Sequence, residues 1–183
     1  MKCPKIYIKK FGGKIKMSTQ IPTARIYLGS PFYSDAERKR SVKAKELLAK
    51  NPTVANVFFP FDQSFTDPEE KNPEIGGIRS MTWRVGTYQN DLNGISLATC
   101  GVFLYDMDMI DDGSAFEIGF MRAMHKPVVL VPFTEDPNKE KQMNLMLAQG
   151  VTTIIDGNTD FEKLATYDFT HMPANPVVGY KII

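Results

Sequence analysis

Five short apolar runs, alternating with longer stretches of helical spacing, constrain this chain more than any other feature. The runs are RIYLG (25–29), NVFFPF (56–61), GVFLYD (101–106), PVVLVPF (127–133) and VTTIID (151–156). Strand-length and helix-length segments in alternation mark βαβ units, whose strands lie parallel under helices on both faces. The spacing predicts helices over 34–52, with Ser34 as N-cap and Pro52 beyond the end, and over 80–99. Two more are expected over 114–126 and 138–150, the last stopped by Gly150. The expected fold class is α/β, a five-stranded parallel sheet flanked by helices.

Composition narrows the class further. A chain of 183 residues, 43% hydrophobic and 23% charged, suits one domain that buries about 70% of its unfolded surface. Cys3 and Cys100 lie far apart, which argues against a disulfide framework and for a reducing, cytoplasmic setting. No apolar run reaches membrane-spanning length, so no membrane partner is expected. The net charge of +1 hides six lysines between Lys2 and Lys16; without them the remainder carries about −5. Residues 1–20 therefore read as a basic, mobile N-terminal extension, with Met17 a second plausible start, and 21–183 as the single domain. An acidic body argues against nucleic acid as the partner. The acid-, Pro- and Gly-rich stretch 62–79 reads as a lid or a disordered loop, and the tail from His171 as a segment that wanders over the surface or over a neighbouring subunit.

Open parallel sheets bind ligands outside the carboxyl ends of their strands. Those ends carry Tyr27, Gly29, Ser30 and Pro31, then Asp62 and Gln63, then Asp106, Asp108, Asp111 and Asp112. So acidic a rim repels phosphate and suits a neutral polar ligand or a developing cation. Neither GxGxxG nor a P-loop is present, and no His/Cys spacing calls for a metal. His125 and His171 read as surface residues.

Two carboxylates stand out. On the helix at 80–99, Tyr88, Leu92 and Ile95 have the spacing of a buried stripe, and Asp91 falls on its edge. Burial raises a carboxyl pKa, as a general acid requires; an Asp bonded to a neighbouring group is the competing reading. Glu117 follows Ser114 by three, the capping-box pattern, so it reads either as a cap or as a reactive carboxylate kept ionised by the helix N-terminus. A pair of unlike carboxylates fits retaining glycosyl transfer, one as nucleophile and one protonating the leaving group.

Taken in order, IYLGSPFYSDAERKR, FFPFD, TYQNDLNGI, the stretch 101–133 and NLMLAQGV resemble the nucleoside 2-deoxyribosyltransferases, over about residues 24–183. The pattern is most similar to the purine-preferring branch from lactic acid bacteria. The resemblance implies a flavodoxin-like fold, a hexamer whose sites are completed across subunits, a role in nucleotide salvage, and no cofactor. It implies Glu117 as nucleophile on C1′, Asp91 as general acid and base toward the departing and incoming bases, and Tyr27 as the residue orienting Glu117. Asp111 would bind sugar hydroxyls, and Asn144, with Met146 beside it, would reach the 5′-hydroxyl from a neighbouring subunit. Gly29, Asp62 and Ser64 complete the expected substrate contacts. The implied substrates are purine 2′-deoxynucleosides and free purine bases, exchanged with net retention through a covalent deoxyribosyl-glutamate.

Two departures bear on this. Broader-specificity members carry D-N-Q where this chain has Asp62, Gln63 and Ser64, and a small residue at 64 leaves room for a larger base. Family chains tend to end in tyrosine, whereas here Tyr180 precedes Ile183. The rival readings are a 2′-deoxynucleoside or 2′-deoxynucleotide N-hydrolase on the same fold, and a non-catalytic nucleotide-sensing module in which Glu117 only caps. The hydrolases resemble chains with Arg in the first loop, and LGSPFYSD has none before Arg38.

Overall fold

The computed structural model describes residues 7–11, 14–18, 21–68, 79–136, 138, 140–175 and 177–183. β1 (Tyr7–Phe11) and β2 (Lys14–Ser18) pair as an antiparallel hairpin, a sheet of its own within the stretch expected as an extension. The main sheet contains β3 (Ala24–Gly29), β4 (Val54–Phe58), β5 (Cys100–Asp106), β6 (Val128–Phe133) and β8 (Thr153–Ile154). Its five strands are all parallel, in the order β4-β3-β5-β6-β8. Between β3 and β5 the strand order reverses, and their carboxyl ends open the crevice that follows from such a switch.

Strand alternation divides the core into two. Ile26 and Leu28 of β3, Val102 and Leu104 of β5, and Val129 and Val131 of β6 pack beneath α1 (Asp35–Lys50) and the 3-10 turn Phe161–Ala165. The intervening residues, Tyr27, Phe103, Tyr105, Val128 and Leu130, face α2 (Met81–Leu97), α3 (Asp112–Ala123) and α4 (Leu145–Gly150). That alternation places Tyr27 on the same side of the sheet as the helices that carry Asp91 and Glu117.

Local chemistry sets the helix starts. Ser34 and Glu37 form a reciprocal capping box on α1, and the Ser80 hydroxyl accepts the Trp83 N–H on α2. The α2 end is closed by Lys126, whose ammonium donates to the carbonyls of Ile95, Ser96 and Ala98.

Three expectations are corrected. The fourth helix begins at Leu145, because Gln142–Met143 forms strand β7 and pairs with β9 (Lys181–Ile182). For the same reason the tail returns to the body at its end. The inward face of α2 is also phased differently: Tyr88 is 52% exposed, while Gly94 and Ile95 are buried. The cause is Gly94, which lets the Phe58 ring approach to where a Cβ would meet ring carbons at 2.4–2.7 Å. The closely packed stripe is therefore Thr87, Asp91, Gly94 and Ile95, at i, i+4, i+7 and i+8.

Gly94→Ala forces Phe58 aside, and its net cost is about 1–2 kcal/mol despite alanine's better helix propensity. Gly119→Ala on α3, with nothing within 4 Å of the new methyl, stabilises by about 0.5–1 kcal/mol. Urea unfolding of the two variants checks both signs.

Candidate active site

The site grows from the register of β3 against β5. Tyr27 lies opposite Gly101 and Gly29 opposite Phe103, so the phenol rises between the Phe58 and Phe103 rings toward α3. Tyr27 is fully buried, and its hydroxyl donates to Glu117 Oε1 at 2.6 Å. At Gly29 a side chain would collide with Phe103 at 2.3 Å and stand 3.3 Å from Glu117 Oε2. The glycine thus places no side chain against the second carboxylate oxygen.

The cap is not where the S-x-x-E pattern put it. Asp111 is the N-cap of α3, accepting the N–H groups of Gly113 and Ser114 and the Ser114 hydroxyl at 2.6 Å. A carboxylate with two oxygens satisfies three donors, which a serine at 114 cannot match. Glu117 consequently falls in the second turn, its carboxylate turned to Tyr27, beyond the reach of the helix-end dipole.

Burial, not the dipole, governs its charge. Desolvation pushes Glu117 from 4.5 up to about 7; the Tyr27 hydrogen bond opposes the shift, and the charges of Asp91 and Asp111 add to it. Asp91 rises from 3.8 to about 6 through burial. Its Oδ1 is buried and has no hydrogen-bond partner among the described residues, and the same holds for the hydroxyl of Thr87 one turn earlier. Tyr27 is driven far above the usual phenol range by burial and then by Glu117 and Asp91, so it stays a donor at any working pH.

The remaining expected residues separate into two groups. Asp111 acts electrostatically on Glu117 while its oxygens are engaged at the cap. Asp62 is paired with Lys45 at 2.8 Å, and the Ser64 hydroxyl turns back to the carbonyls of Pro60 and Phe61. Asn144 caps α4 by accepting the Met146 N–H, and Met146 is 78% exposed. Asn144 lines a separate cavity of about 490 Å³ with Tyr105, Met107 and Ile110, away from the Tyr27–Glu117 pair.

The rim is also less anionic than its composition implies. Asp106 accepts Arg40 and the N–H groups of Asp108 and Met109, while Asp108 accepts the Thr134 hydroxyl and the Glu135 N–H. Both carboxylates tie strand ends together and are not available as ligands. Two residues were not anticipated from sequence. One is Thr87, which the phase of α2 brings to the same face as Asp91. The other is Tyr33, an exposed aromatic in the β3–α1 loop whose hydroxyl is held above the usual phenol range by partial burial and then by the charges of Asp111, Glu37 and Glu117. Its place directly after the first strand was the available signal. Among the described residues no His/Cys/Asp/Glu cluster is arranged to hold a metal, and no helix is long and apolar enough to cross a membrane.

Residues 26–146 match the family model described as nucleoside 2-deoxyribosyltransferase. A nucleoside deoxyribosyltransferase of Limosilactobacillus fermentum is 39% identical over 168 residues, covering 92% of this chain and 99% of that protein. One from Lactobacillus leichmannii is 33% identical over 129 residues, covering 69% and 80%. Among solved structures, the 2-deoxyribosyltransferase of Bacillus psychrosaccharolyticus superposes with a TM-score of 0.67 at 28% identity, covering 85% of this chain and all of that one.

The electrostatics generate a stability prediction. Both folded-state pKa values lie above their ordinary values, so the contribution of the neutral forms is complete below about pH 4 and is lost as pH rises through about 6 and 7. Glu117→Gln, which keeps the shape and removes the charge, gains on the order of 2 kcal/mol over the wild type near pH 8 and nothing near pH 4. Paired thermal melts across that range measure it.

Proposed function

The chain belongs to the nucleoside 2-deoxyribosyltransferase family, and from that premise we propose that it exchanges the 2-deoxyribosyl group between purine bases through a covalent glutamyl intermediate. The carrying observation is Glu117, fixed by Tyr27 through one oxygen and free of any residue-29 side chain at the other, with a second, half-buried carboxyl at Asp91 whose Oδ1 is buried. Tyr27 orients the nucleophile and, never ionising, cannot compete with it.

In the first half-reaction, Asp91 gives its proton to a nitrogen of the departing base as the C1′–N bond breaks with its electron pair on the base. Glu117 Oε2 forms the C1′–O bond. In the second, Asp91 takes a proton from the incoming base, whose nitrogen displaces Glu117 from the opposite side. Two inversions leave the β configuration. Burial of Asp91 favours its protonated form, and as its proton leaves for the base the charge it acquires is offset by the charge Glu117 loses on forming the C1′–O bond. Asp111 serves the sugar hydroxyls through its remaining lone pairs while capping α3.

The exposed, outward position of Asn144 and Met146 fits a homo-oligomer in which they complete a neighbouring subunit's site. A hexamer is the assembly this reading takes. Purine preference rests on Ser64, whose small side chain is folded back onto its own turn and leaves the base end roomy.

Incubation with 2′-deoxyinosine and adenine should yield 2′-deoxyadenosine and hypoxanthine; hypoxanthine alone would replace the transferase reading by hydrolysis, and pyrimidine donors should react more slowly. The productive form carries one proton, on Asp91, so kcat/KM should peak between about 6 and about 7 and fall on both sides. A pH profile of the exchange measures this.

A further inference from the structure

We propose that Thr87 reads the exocyclic 6-substituent of the purine while Asp91 engages the ring nitrogen beside it. This deepens the transferase reading and rests on it. Thr87 and Asp91 are four residues apart on α2, so their side chains leave one face of the helix about 5–6 Å apart. Gly94 and Ile95 continue that face into the core, and Gly94 is packed against Phe58. The face therefore points into the protein next to Tyr27, which stacks on Phe58 at 5.7 Å.

Both polar atoms on this face are buried and lack a partner: Thr87 Oγ1 and Asp91 Oδ1. A helical threonine ordinarily satisfies its hydroxyl on the carbonyl one turn back or in bulk water, whereas the Thr87 hydroxyl is buried and has no partner among the described residues. Two neighbouring orphaned groups, where the other buried side-chain polar atoms of the described residues are bonded, call for a shared ligand. α2 connects parallel strands and so runs against them, which puts Thr87 one turn nearer the carboxyl edge of the sheet than Asp91.

A purine supplies the matching edge, with an acceptor nitrogen at N7 and a 6-substituent next to it. Protonated Asp91 donates to N7, while the threonine hydroxyl accepts from a 6-amino group or donates to a 6-oxo group. One residue can thus serve adenine, hypoxanthine and guanine, because a hydroxyl is both donor and acceptor. The base reaches the two atoms by displacing the groups that shield them, and their hydrogen bonds are completed only when it does.

The test compares Thr87→Val with the wild type on two donors, 2′-deoxyinosine and the 2′-deoxyriboside of unsubstituted purine, with adenine as common acceptor. The expected result is a roughly tenfold loss in kcat/KM on deoxyinosine and no loss on the unsubstituted donor. Thr87→Ser should recover most of the deoxyinosine rate, and the Asp91 limb of the pH profile should stay in place. The free valine variant should melt no lower than the wild type, since it removes an unpaired buried hydroxyl. Equal losses on both donors, no loss on either, or a moved pH limb would overturn the assignment to the 6-substituent while leaving the transferase reading intact. Failure of the wild type to exchange either donor would instead overturn the transferase reading itself.

Discussion

The hydrogen bond from Tyr27 to Glu117 is the interaction around which the crevice is arranged. It joins residues ninety apart in sequence at 2.6 Å, and it forms only because several independent conditions hold. β3 must lie beside β5, so that the element after β5 passes over Tyr27. The alternation of β3 must send Tyr27, and not Ile26 or Leu28, to the α3 face. α3 must start at Asp111, so that position 117 comes round to the sheet in the second turn. Position 29 must lack a side chain, because Phe103 and Glu117 occupy the space.

The same bond decides how the site handles charge. Burying a carboxylate is costly without a partner, and the Tyr27 donor recovers only part of that cost, since Glu117 still rises to about 7. Asp91 has no donor to its buried Oδ1 among the described residues and rises to about 6. The two acids therefore share one proton near neutrality, and the bound base decides which of them holds it. This differs from a nucleophile kept ionised by a helix N-terminus: the dipole fades within one turn, and Glu117 lies beyond it.

Much of the architecture was legible because it depends on local periodicity. The five parallel strands, the Ser34 cap and the stop near Gly150 each follow from a pattern within a few residues. What sequence reasoning misplaced depends on competition between groups that look equivalent on paper. Ser114 and Asp111 both qualify as caps, and Asp111 takes the position because it satisfies three donors, Ser114 among them. Tyr88 and Thr87 both fit an apolar stripe, and the Phe58 ring against Gly94 fixes the phase in favour of Thr87. Asp106 and Asp108 resemble ligands until Arg40, Thr134 and the backbone claim them. The short α4 reflects a long-range event, the pairing of β7 with the chain's last strand.

Mass spectrometry after trapping with a 2-fluoro-substituted deoxynucleoside tests the central claim most directly, because fluorine slows release of the sugar from its acceptor residue. The account predicts one sugar adduct on the peptide that contains Glu117, absent in Glu117→Ala, with the protein folded in both cases. An adduct on another residue, or base exchange that persists in Glu117→Ala, would contradict it.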